Sequence, residues 1–198
     1  MSLLETLTNV VSSQVAQQAA QKTGLSNDAA AKLAPMAMAV LMNGLKNNAA
    51  SNDGAQALSS ALDNHDGGLL SQLTRLGDDD VMADGDKILG HILGGKRGQA
   101  EQQLAQAAGG VDSSQVASIL KMAAPAVLGA LGQAKREQGL DANALSGLLK
   151  TEGARAQAAA PSELNGFMKM LDADGDGNLN NEAMGLGKRL LGGLFGRK

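Results

Sequence analysis

The chain has 198 residues, with 17 basic and 20 acidic side chains and a net charge of −3. Hydrophobic residues make up 43 % and aromatics 1 %, with no Trp, Tyr or Cys. The length suits one large domain, or one domain with a small appendage. The missing cysteines exclude disulfides, thiol catalysis and Cys-based zinc sites, and the acidic balance argues against a general nucleic-acid binder, which needs a basic face.

A core without large aromatics has to be built from Leu, Ala, Met, Val and Ile. Small side chains let helices approach toward the short end of roughly 8–10 Å between axes. Each buries little area, so stability comes from many modest contacts. Met1-Ser2-Leu3-Leu4-Glu5 has neither the basic start nor the apolar core of a signal peptide. No uninterrupted apolar run approaches the roughly 18 residues of a membrane span. The expected compartment is the cytoplasm, with non-classical export left open.

The first recognisable element runs from Ala16 through Lys22 to Gly24-Leu25-Ser26, followed by an Ala/Met/Leu-rich helix through Leu45. A second stretch repeats it: Gln102 to Ala108, then Gly110-Val111-Asp112, then a helix through Leu131. Ala19 pairs with Ala105, Gly24 with Gly110, Leu33 with Ile119 and Met36 with Met122. The turn recurs a third time at Gly139-Leu140-Asp141. In each, Gly ends one helix in a left-handed conformation and Ser or Asp caps the next. The residue between them staples onto the first turn, Val111 to Val116 and Leu140 to Leu145, and Gln115 stands where a capping-box partner belongs. The long helices carry Pro35 and Pro125, each expected to bend or break its helix.

Between the halves lie Asp63-Asn64-His65-Asp66-Gly67-Gly68, Gly77-Asp78-Asp79-Asp80 and Asp84-Gly85-Asp86. The segment reads as an acidic connector rich in loops. Asp78, Asp80, Asp84 and Asp86 are close enough in sequence to suggest a second cation site, and the connector is the preferred reading. His65 and His91 are the only histidines, too few for zinc or acid–base chemistry, and His91 beside an apolar stripe reads as a packed residue. No Ser/His/Asp spacing, P-loop or dinucleotide fingerprint is present, and no enzyme is expected.

Thr151 to Pro161 is Ala-rich and reads as a linker. The pattern then changes. Asp172, Asp174 and Asp176 place carboxylates on alternate residues, and Gly177 follows where the backbone must turn. The carbonyl of Asn178, the apolar anchor Leu179 and Asn180 complete an EF-hand-like run of oxygen ligands for Ca²⁺. Glu163, Leu164, Phe167, Met168 and Leu171 supply the face of an entering helix. Position twelve, which should hold a bidentate Glu, is Ala183; Glu182 lies one residue early, about 100° around a helix. The expected affinity is weak, roughly 10⁻⁴–10⁻³ M. The tail, residues 185–198, is basic and apolar; it suits docking on its own EF-like partner or contact with an anionic membrane.

Ile88-Leu89-Gly90-His91-Ile92-Leu93-Gly94-Gly95-Lys96-Arg97, the Gly-Val-Asp turn and the Ala/Leu/Pro helix together resemble the YidB-like family. So does the end, Leu171-Asp172-Ala173-Asp174-Gly175-Asp176-Gly177 followed by Leu190-Leu191-Gly192-Gly193-Leu194-Phe195-Gly196. The resemblance implies an all-helical bacterial domain of unknown function whose helices have been likened to homeodomains. The expectation is therefore an all-α bundle of two related helix-turn-helix halves (1–150), an Ala-rich linker (151–161) and an EF-hand-like helix-loop-helix (162–198). It would act as a non-enzymatic interaction or scaffold protein, calcium-binding and self-associating as a homo-oligomer or with a protein partner. The alternatives are DNA binding through homeodomain-like helices, for which Lys135-Arg136 is the best basic pair, or peripheral membrane attachment through residues 185–198.

Overall fold

The computed structural model describes residues 3–64 and 73–171, and these are helical, with no strand among them. In chain order the helices are α1 (Leu3–Thr23), α2 (Asn27–Asn48), α3 (Asn52–Asn64), α4 (Asp79–Leu93), α5 (Arg97–Ala107), α6 (Ser113–Gln138), α7 (Ala142–Ala159) and α8 (Ser162–Leu171). A single 3₁₀ turn, Gly94–Lys96, joins α4 to α5.

Helices α2 and α6 form the interior. Leu33, Ala37, Val40 and Leu41 on α2, and Val116, Ile119, Leu120 and Leu131 on α6, are closed off from solvent. Around them α1 packs on both, α4 and α5 lie on α6, α7 lies on α2, and α8 rests on α5 and the neighbouring face of α2. The core is Leu, Ala, Met, Val and Ile, with Phe167 as its aromatic member among the described residues.

Each helix start follows from a local sequence device. Ser26 caps α2 by accepting from the Ala29 amide at 3.2 Å. Asp112 and Gln115 close a capping box at α6, and Asp141 accepts from the Ala144 amide at 2.8 Å at the start of α7. The preceding glycines, Gly24, Gly110 and Gly139, all have positive φ (71°, 83° and 62°), where a side chain would be strained. Gln115 also ties the two stretches together, its Nε2 donating to the Thr23 carbonyl at 2.9 Å.

Three expectations meet a different outcome. Of the bend or break expected at each proline, the break does not occur: α2 runs through Pro35 and α6 through Pro125 without interruption. Each proline removes one amide and so deprives one carbonyl, Ala31 and Lys121 respectively, of its i+4 donor; burial of the rest of each helix outweighs that loss. The acidic connector is not loop around residues 79–86. Helix α4 begins at Asp79, with Asp79 and Asp80 in its first turn, where carboxylates favour the positive end of the helix dipole. Residues 151–159, read as a linker, continue α7. Alanine is the best helix former, and Glu152 and Gly153 are buried there.

Bare backbone sets two of the crossings. A Cβ added at Gly44 of α2 would lie 2.6 Å from Ile92 Cγ2 of α4. One added at Gly85 of α4 would overlap the Lys121 carbonyl of α6, the carbonyl that Pro125 leaves without a helical donor. Helix α6 is also long and apolar enough to cross a bilayer, but 78 % of its apolar window is buried inside the protein, as a core helix requires.

Gly85→Ala should therefore destabilise the fold by about 1–3 kcal/mol, the usual cost of overpacking. Gly90→Ala, with nothing within 4 Å of the added methyl, should raise stability by up to about 1 kcal/mol through helix propensity. Urea denaturation of the two variants checks the opposite signs.

Candidate functional site

The ligand set read from the sequence, Asp172, Asp174, Asp176, Asn178, Asn180 and Glu182, lies outside the described residues, as does His65. Helix α8, read from the sequence as an entering helix, buries Leu164, Phe167 and Met168. It is held to α2 by Asn43, whose Nδ2 donates to the Met168 carbonyl at 3.4 Å.

The acidic segment does not gather into a cation cage. Arg75 Nε donates to Asp78 at 3.0 Å and its Nη2 to Asp80 at 2.7 Å. Asp86 takes Lys121 Nζ and Arg97 Nη2, each at 2.9 Å, and Arg97 also holds Glu101 at 2.8 Å. Carboxylates already answered by guanidinium and ammonium groups have little call for a metal. No group of three or more His, Cys, Asp or Glu side chains suited to a metal occurs among the described residues. His91 is exposed, and its carbonyl accepts from Asn48 Nδ2 at 2.9 Å; its imidazole joins no such group.

The ion pairs do shift titration. Hydrogen bonds from Lys121 and then Arg97 hold the Asp86 carboxyl below the ordinary aspartate value, and the Arg75 hydrogen bond does the same for Asp80. A depressed folded-state pKa gives stability that is present above the unfolded value, near 4, and is lost as pH falls through the folded value. Asp86→Asn should therefore lower the melting temperature at pH 7 and converge with the parent as pH drops below 4. A pH series of thermal melts reads this.

What the fold does build is a groove of about 800 Å³ between α1, α2 and α7. Its floor is Met36, Met38, Ala39 and Met42 of α2, each buried with at most 6 % exposed; its walls include Ala16 of α1 and Ala156 and Ala159 of α7. Methionine floors are soft and polarizable and accept more than one shape of apolar guest. Alanine walls leave room for a helix to approach closely. The side along α1 from Glu5 to Ala16 is about 17 Å long at helical rise, three turns of helix. Ala31 and Pro35 lie on the same groove, so the carbonyl that Pro35 deprives of its donor belongs to a lining residue. Charge along it is balanced: Glu5 and Glu152 face Lys32 and Arg155, with Glu152 and Arg155 paired at 2.9 Å.

Sequence reasoning missed this groove. The signal was there in Ala31, Pro35, Met38, Ala39 and Met42, which share one face of α2 at three- and four-residue spacing. A lining of small and flexible residues looks the same in sequence as a core stripe, and what separates the two is whether a neighbouring helix covers it.

A family model described as a bacterial protein of unknown function (DUF937) matches residues 5–134. No curated protein and no solved structure matches the chain. The matched residues make up more than half of the sequence, and the chain belongs to this family.

Proposed function

We propose that this DUF937 family member is a non-enzymatic interaction module of the cytoplasm whose α1–α2–α7 groove seats an amphipathic helix from a protein partner. The observation that carries the reading is the groove itself: methionine-floored, alanine-walled, three helical turns long and open on one side. Helix-in-groove recognition needs those features, because apolar anchors at i, i+3, i+4 and i+7 enter a trough about one helix wide. The YidB-like resemblance agrees with an all-helical domain that carries no assigned activity.

DNA binding through a basic helix is the weaker reading. Lys135, half of the best basic pair, is turned inward; its Nζ donates to the Ser59 carbonyl at 2.9 Å and to Asp63 at 2.6 Å. A second element of the proposal concerns Asp172 to Glu182, whose alternate oxygens suit a weak calcium loop joined to α8.

A helical-peptide library displayed against the full chain tests the groove. Enriched peptides should share apolar anchors at helical spacing and bind at least tenfold more weakly to an A31E/A159E variant. Both alanines are exposed on the groove wall, so the fold tolerates the change. Peptides that bind the variant equally well would overturn the reading.

For the loop, isothermal titration should return a Kd of about 10⁻⁴–10⁻³ M for Ca²⁺. The signal should vanish in D172N/D174N. An absent heat in the parent chain at millimolar Ca²⁺ refutes the loop.

A further inference from the structure

Four of the described helices are stopped by glycine. Helices α1, α4, α5 and α6 each run, within two residues, into a glycine of positive φ: Gly24, Gly94, Gly109 and Gly139. Helix α7 has no such stop. It ends in Ala158-Ala159-Ala160, a run of the best helix former, and Ala160 leaves the helix at φ −73° and ψ 149°. Pro161 turns it out, because the proline ring disfavours the α conformation in the residue before it. The whole connection from α7 to α8 is that one step, Ala160-Pro161.

The same Ala-Pro step occurs twice more, at Ala34-Pro35 and Ala124-Pro125, and there the helix continues through it. One dipeptide therefore takes two conformations in this fold, extended before α8 and helical inside α2 and α6. Continued through Pro161, α7 and α8 become one helix, and the Gln157 carbonyl alone loses its i+4 donor to the proline. That carbonyl now accepts from the Ala160 amide at 3.3 Å, long for an amide hydrogen bond.

Helix α8 does not stand alone. It has ten residues, short of the roughly 12–15 at which an isolated helix becomes marginal, and it carries Gly166 in its middle. Leu164, Phe167 and Met168 bury themselves in its seat, which lies on α5 with α2 and α7 at its edges. The polar side of that seat is poorly answered. Asn43 reaches the Met168 carbonyl at 3.4 Å, and its buried Oδ1 meets no donor. Lifting α8 returns that amide to water and so recovers its hydration, while the three apolar side chains require that α8 be seated again.

We propose that α8 is exchanged between two copies of this chain: in each copy α7 runs on through Pro161 into α8, and α8 fills the α2–α5 seat of the other. A seat shaped for this segment takes the same segment from a second copy with its contacts kept, and a reciprocal exchange closes on two copies. Short connections under strain favour such exchange, and lengthening them opposes it; this one is two residues long and is held extended by a proline. Ala158, Ala159, Pro161 and Ser162 around the step are exposed, so small side chains and open surface stand where the two chains would cross. The seat is built by α2 and α5, and the exchange does not rest on the groove reading.

Isotope mixing of the full chain tests the exchange. Deuterated ¹⁵N-labelled chains and ¹³C-labelled chains are unfolded together, refolded at millimolar concentration, and sized by light scattering. A dimer should form, and in it the Asn43 side-chain amide of one chain should show nuclear Overhauser contacts to ¹³C-bound protons of Met168 of the other. Pro161→Ala should raise the dimer association constant at least about tenfold, because proline is the costliest residue inside a helix. Inserting Gly-Ser-Gly after Ala160 should lower it at least about tenfold, because a longer connection lets α8 fold back on its own chain. A parent chain that stays monomeric, a dimer whose Asn43–Met168 contacts stay within one chain, or a dimer indifferent to both hinge changes overturns the proposal. Should Pro161→Ala fail to fold, the parent mixture and the insertion decide the matter by the same readings.

Discussion

The close approach of α4 to α6 at Gly85 is the constraint from which much of the arrangement follows. A chain with 1 % aromatics has few side chains large enough to bridge a wide gap between helices, and dispersion contacts fade within an ångström of extra separation. The helices therefore meet through bare backbone, and the residue at the crossing has to be glycine. Once Gly85 lies against the Lys121 carbonyl, Asp86 is delivered to Lys121 and Arg97, and Ile88, Leu89, Ile92 and Leu93 are fixed in the core. The same logic brings Gly44 of α2 up to Ile92, so α4 is gripped from both central helices.

Proline has a different part in this fold from the one its reputation suggests. In isolation it costs about 3 kcal/mol inside a helix, and both central helices carry one. Neither stops there, because α2 and α6 are buried along most of their length and their packing outweighs one missing amide. The residue of that bargain is a carbonyl with spare acceptor capacity. In α6 it is covered by a glycine; in α2 it belongs to a residue on an open groove. Ala31 and Pro35 are exposed, so water can answer that second carbonyl.

Much of this was legible in the sequence where the signal was local. The three Gly-x-Ser/Asp turns, the capping box of Asp112 and Gln115, and an aliphatic core are properties of a few adjacent residues, and the structure carries them as read. The failures came where tertiary packing decides. Asp79 to Asp86 looked like loop because acids and a glycine cluster there, but the acids sit at a helix N-terminus and are answered by Arg75, Arg97 and Lys121 from elsewhere in the fold. Thr151 to Ala159 looked like a linker because alanine is featureless, and burial of Glu152 and Gly153 against the bundle makes it helix. The groove was illegible for the complementary reason: whether Met38 and Met42 face a neighbour or a cleft is settled by where α1 and α7 lie, not by spacing along α2. The run read as a calcium loop, residues 172–182, lies outside the described part.

The order of elements along the chain ends on the same central helix it is built around. Helix α8 is anchored on α2 through Asn43 and its buried Leu164, Phe167 and Met168, so the last described helix adds to the burial of the helix that also lines the groove. Packing of this kind, from α1, α6, α7 and α8 together, is what lets α2 keep a proline in its interior.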